Sequence, residues 1–193
     1  MSRSSPFPWA MIFVAPLVAA GVAAGLWLAA TAAYENIRLA QATDQILGVV
    51  AVSRDIAVDY KGRDDQAATV VLDRLAPLTS MHVVEDTATK QRALVNPWRG
   101  LTGVAPSAGM RELRLQMEVP SIACLRLAKF YASAPASLGL QRIEVRANAP
   151  EAVWQTHYDL AEGRVAVALT PRSVKTACDK TPQTTVALTF RLR

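Results

Sequence analysis

Two cysteines and two histidines hold most of the reactive side-chain chemistry this sequence offers. Cys124 and Cys178 form no CxxC pair, and no histidine lies close enough in sequence to complete a metal site. The chemistry that fits them is oxidation to a disulfide in an oxidising compartment. It would close a loop of about 55 residues and contribute about 4 kcal/mol in the chain-entropy model. Two buried free thiols are the alternative. His82 and His157 occur without HExxH, GxSxG or a Gly-rich phosphate loop, so each is expected at the surface or satisfied by hydrogen bonds. The pairs Asp64-Asp65 and Glu85-Asp86 could bind a cation, but adjacent carboxylates in polar stretches more often start a helix or solvate a loop. No catalytic, metal or cofactor set emerges. The chain is expected not to be an enzyme, with no cofactor and no small-molecule substrate.

The elements that carry these residues begin with an uncharged block. The chain has 193 residues, 51% of them hydrophobic, and Ser4 to Tyr34 holds no charged side chain. Phe7 to Ala33 offers about 27 apolar or small residues, against roughly 20 for a helix crossing a bilayer core. A retained anchor fits best, with Trp9, Trp27 and Tyr34 where interfacial aromatics belong and Pro16 tolerable within the span. A signal cleaved near Ala30-Thr31-Ala32 and a buried core helix are the alternatives. Arg3 and Arg38 flank the block, so the positive-inside rule discriminates little. Gly21, Gly25, Ala29 and Ala33 recur every four residues, a stripe that would let another helix approach closely, although an Ala-rich span also yields such stripes by chance.

Helical spacing continues past the block through Ile37, Ala40, Ile46, Leu47, Val50 and Ile56, with no proline before Pro77. One helix from about Phe7 to Asp59 would be about 80 Å long, its second half outside the membrane and packed on a soluble domain. A short helix is expected from Asp64 to Leu75. Asn96-Pro97-Trp98-Arg99-Gly100 reads as a turn. Met110 to Val119 alternates Leu113, Leu115, Met117 and Val119 with polar residues, as a half-buried strand does. Pro120 should open a helix to about Ala132, with Ile122, Leu125, Ala128 and Lys129 at helical spacing. Strands are expected at Gln141–Ala147, Arg164–Leu169 and Thr184–Leu192, and a short helix at Pro171–Cys178. The class is α+β, a long N-terminal helix across an antiparallel sheet.

At this point the sequence resembles the type IVb pilins, most nearly the major pilins of thin conjugative pili. The resemblance rests on Asn96-Pro97-Trp98-Arg99-Gly100, on Val119-Pro120 ahead of Cys124, and on Ala177-Cys178 before a terminal strand, and it covers roughly Glu35 to Arg193. Those pilins usually read Asn-Pro-Trp-Gly-Gly, so Asn96, Pro97, Trp98 and Gly100 match while Arg99 departs. The N-terminus departs further, since the first glycine is Gly21, within the span, and the first acidic residue is Glu35, beyond it. The resemblance implies a pilin-like head on a long helix, a disulfide-bounded C-terminal region and assembly into a helical filament.

The expected organisation is a cytoplasmic tail at 1–6, a transmembrane part at 7–33, an extramembrane helix at 34–60 and a head at 61–193. The protein would sit as a single pass in a bacterial inner membrane with its head in the periplasm, and outside the cell once assembled. Expected partners are membrane lipid and either sister subunits or other components of a pilus or secretion machine; the rival reading is a non-polymerising accessory or scaffold of a secretion or conjugation machine. Glu35 to Lys90 carries 6 cations and 9 anions, a net of −3, whereas Gln91 to Arg193 carries 14 and 7, a net of +7. Opposite signs could steer one head onto the next stalk, although uneven charge is also compatible with a solvated surface. DNA is not an expected partner, because the aromatics are not interleaved among the cations.

Overall fold

The computed structural model describes residues 9–63, 66–78, 81–85, 91–133, 138–149, 151–161 and 164–193. The tail at 1–6, Phe7, and the carboxylates Asp64, Asp65 and Asp86 lie outside them. Helix α1 runs from Trp9 to Asp59. The chain divides into two compact units, one ending at Ile37 and the other spanning Arg38–Arg193.

In the second unit one antiparallel sheet holds β1 (Val83–Glu85), β2 (Arg92–Val95), β3 (Leu101–Pro106), β4 (Glu112–Pro120), β5 (Leu140–Ala147), β6 (Gln155–Ala161), β7 (Arg164–Val167) and β8 (Gln183–Arg191). Their order is β1-β2-β3-β4-β8-β5-β6-β7. The C-terminal strand β8 therefore lies at the centre, paired over its whole length with β4, Glu112 opposite Arg191 and Pro120 opposite Gln183. Leu113, Leu115, Met117 and Val119 point into the core, as their alternation requires, beside Val186, Leu188 and Phe190 of β8.

Helices α2 (Ala67–Leu75), α3 (Ser121–Ser133) and α4 (Pro171–Cys178) contribute to the same core. So does the part of α1 after Arg38, through Ala42, Ile46, Val49, Val50 and Ala57. Arg54 ties this part of α1 to the far end of the sheet, donating to the carbonyls of Leu138 at 2.6 Å and Arg191 at 3.2 Å.

The structure corrects several details. Pro120 ends β4 instead of opening α3, which starts at Ser121. The buried face of α3 is Ala123, Cys124, Leu127, Ala128 and Tyr131, while Ile122 and Lys129 are exposed and Leu125 is half-buried. On α1, Ile37, Ala40 and Leu47 are exposed, and the buried stripe takes in the polar Thr43, Gln45 and Ser53. The last two strands run Arg164–Val167 and Gln183–Arg191, shifted slightly from the sequence expectation.

Candidate assembly surfaces

In the first unit, Leu17, Val18, Val22, Leu26, Trp27 and Leu28 are 57–72% exposed. Gly21, Gly25, Ala29 and Ala33 are exposed too, and a Cβ built on either glycine meets nothing within 4 Å. Among the described residues one helix, α1, is long and apolar enough to cross a membrane. So much uncovered apolar surface on one helix is costly in water.

The second unit presents the turn between β2 and β3, organised by Asn96. This side chain is 3% exposed, and its Oδ1 accepts from the backbone N–H groups of Trp98 at 3.0 Å and Gly100 at 3.1 Å. Its Nδ2 donates to the Glu118 carbonyl at 2.7 Å, fastening the turn to β4. Backbone bonds from Asn96 N–H to Gly100 O at 2.9 Å and from Arg99 N–H to Asn96 O at 2.8 Å close it. An asparagine can serve both sides because its amide is acceptor and donor at once.

Gly100 is required by space, since a Cβ there would lie 2.2 Å from the Glu118 carbonyl oxygen. Arg99 has φ 67°, the left-handed conformation that glycine adopts at no steric cost. The one position that departs from Asn-Pro-Trp-Gly-Gly is thus a position whose backbone favours glycine. Trp98 is half-buried against the core.

Cys124 on α3 and Cys178 on α4 are joined in a disulfide with a Cα–Cα distance of 5.8 Å, and both are fully buried. Beneath α4, His157 of β6 is buried, with its Nδ1 3.3 Å from Ser173 Oγ and its Nε2 unpartnered. Burial, and then the nearby Lys180, hold its pKa below the ordinary histidine value. His82 is exposed.

The sequence reading missed a cluster on the sheet face opposite the core. Glu144 of β5, 9% exposed, lies 3.0 Å from the Arg114 guanidinium of β4. The guanidiniums of Arg114 and Arg146 each sit 4.8 Å from the centre of the Trp154 ring. The Trp154 ring and Arg146 help shield an ion pair whose members lie on strands separated by β8. Alternation marked Arg114 as outward-facing, but only the strand order brings it to Glu144.

Across the second unit the described residues contain no group of three potential metal ligands.

Neither a family model nor a curated protein matches the sequence. Among solved structures, the chain is similar to a type IVb pilin from Salmonella typhi at a TM-score of 0.50 and 17% identity, covering 81% of this chain and 97% of that one. The fold is therefore pilin-like: a long N-terminal helix, an antiparallel eight-stranded sheet and a disulfide bounding the C-terminal region.

Proposed function

We propose that this protein is a structural pilin-like subunit, anchored in a bacterial inner membrane by 7–33 and assembling with sister copies into a type IV-like filament of the conjugative kind. In this reading 1–6 is a cytoplasmic tail, 34–60 is the extramembrane part of the helix and 61–193 is a periplasmic head that reaches the cell surface on assembly. The role is non-enzymatic. The observation that carries the reading is the uncovered apolar segment of α1 on a chain with a pilin-like fold. Lipid covers that segment before assembly, and sister helices cover it afterwards, approaching along Gly21, Gly25, Ala29 and Ala33.

A second reading, an inner-membrane accessory or scaffold that does not polymerise, is favoured by one feature. No acidic residue precedes Glu35 in the sequence, so the apolar block lacks a carboxylate that could pair with a neighbouring subunit inside the membrane. Gly25→Leu tests the first reading against the second. It should cut the protein recovered in sheared surface filaments while leaving its amount in the inner membrane unchanged. Unchanged recovery in the sheared fraction would contradict close helix approach at this stripe.

A further inference from the structure

A cavity of about 400 Å³ opens between α1 and the Asn96 turn, lined by Gln41, Asp44, Gln45, His82, Asn96 and Pro97. Gln45 is 7% exposed, and its Nε2 donates to the Val95 carbonyl at 3.0 Å. That bond fixes which way the amide points, because only its nitrogen can donate. Oε1 is left as a buried acceptor with no partner. A buried acceptor without a donor is destabilising, so a donor belongs here. Asp44, exposed on the same helix one residue earlier, has no ion-pair partner among the described residues. A carboxylate and an amide oxygen lining one cavity favour a cationic donor, and a guanidinium carries five N–H groups on a fixed planar fork.

We propose that this cavity is an acceptor socket for a basic side chain, arginine above all, supplied by a second copy of the chain. The proposal rests on the assembly reading above and deepens it by naming the docking site. The occupant follows from charge: the socket lies mainly on the segment Glu35 to Lys90, net −3, and the surplus of +7 lies on Gln91 to Arg193. Within that surplus, Arg99, Arg111, Lys129, Arg172 and Lys180 have no partner for their charged ends among the described residues. A neighbouring copy therefore carries cations available for Asp44. Such a contact sets register and partner choice and weakens with salt.

The test places the photoreactive residue p-benzoylphenylalanine at Gln41 in the full-length chain, irradiates the producing cells and maps the cross-linked peptides. The expected product is a covalent dimer joining Gln41's position to a peptide within 91–193 that carries one of those five cations. Asp44→Asn in the same chain should lower the dimer yield roughly tenfold, with the membrane level and the Cys124–Cys178 bridge unchanged as evidence of folding. No dimer, a cross-link only to lipid or to a different protein, or a dimer indifferent to Asp44→Asn would overturn the socket. Counting sheared filaments in the same cultures separates the two ideas. Filaments without a dimer sink the socket and leave the filament reading; an Asp44-dependent dimer without filaments keeps the socket and sinks the filament.

Discussion

Replacing Asn96 by alanine should release the β2–β3 turn from the sheet. Three hydrogen bonds disappear, two accepted from the Trp98 and Gly100 amides and one donated to the Glu118 carbonyl. At about 1 kcal/mol net for each neutral bond, the expected loss is about 3 kcal/mol. Because Asn96 is 3% exposed, solvent has poor access to the groups left behind. For a chain of this size that loss corresponds to a fall in melting temperature of about 6–12 °C. The assay is urea unfolding of the full chain in mild detergent, followed by near-ultraviolet circular dichroism. The midpoint should fall with the slope unchanged, since little extra surface is exposed on unfolding. Hydrogen exchange localises the effect: the Trp98 and Gly100 amides should lose protection first, while those of β5 and β8 follow only the global change. A loss below about 1 kcal/mol, or equal acceleration at all amides, would refute the idea that this one side chain holds the turn.

Other outcomes follow from the same geometry. Arg99→Gly relieves a left-handed residue and should stabilise the chain by about 0.5–1 kcal/mol in the same urea assay, a net of relieved strain and added unfolded-state entropy; a destabilised variant would mean that the Arg99 side chain has its own packing role. Replacing Cys124 and Cys178 together by serine should cost about 4 kcal/mol relative to the oxidised parent, and coincident unfolding curves would rule out a stabilising bridge. His157, held below its ordinary pKa of 6.5 by burial and then by Lys180, takes up a proton at higher pH in the unfolded chain than in the folded one. Its contribution is therefore complete above that ordinary value and is lost as pH falls below it. Comparing unfolding at about pH 7.5 and about pH 5.5 should show a decline that His157→Gln reduces, and an identical decline in that variant would place the titration elsewhere.

Long or strongly patterned elements were legible in the sequence. The nine residues of β4 alternate cleanly, α4 opens on Pro171, and α1 is uniform enough to read as one helix. The short strands β1, β2 and β3 and the mixed β6 were not. Val83–Glu85 and Arg92–Val95 are too brief for a period of two to accumulate, and Leu101–Pro106 contains both Gly103 and a terminal proline. Their strandedness comes from neighbours, as in the pairing of Val104 with Leu115. On α1, apolar residues occupy more than one stripe, so spacing alone selected Ile37, Ala40 and Leu47 where packing buries Ala42, Gln45 and Ser53.

The same division holds for the candidate surfaces. Asn96, Gly100 and the cysteines stood out by residue type. Gln45 and the Arg114–Glu144–Trp154 cluster depend on contacts across strands and helices far apart in the chain, such as the bond from Gln45 to Val95. No local pattern marks those partners.

The proposed function requires the chain to leave the membrane and become part of a filament. Mass spectrometry of sheared surface filaments and of washed inner membrane, quantifying the chain in each and reading its N-terminal peptide, tests this most directly. Abundant protein is expected in the sheared fraction, with peptides from Glu35 to Arg193 well represented alongside the membrane-stored pool. Protein confined to the inner membrane, in cells whose filaments are made of other subunits, would contradict it.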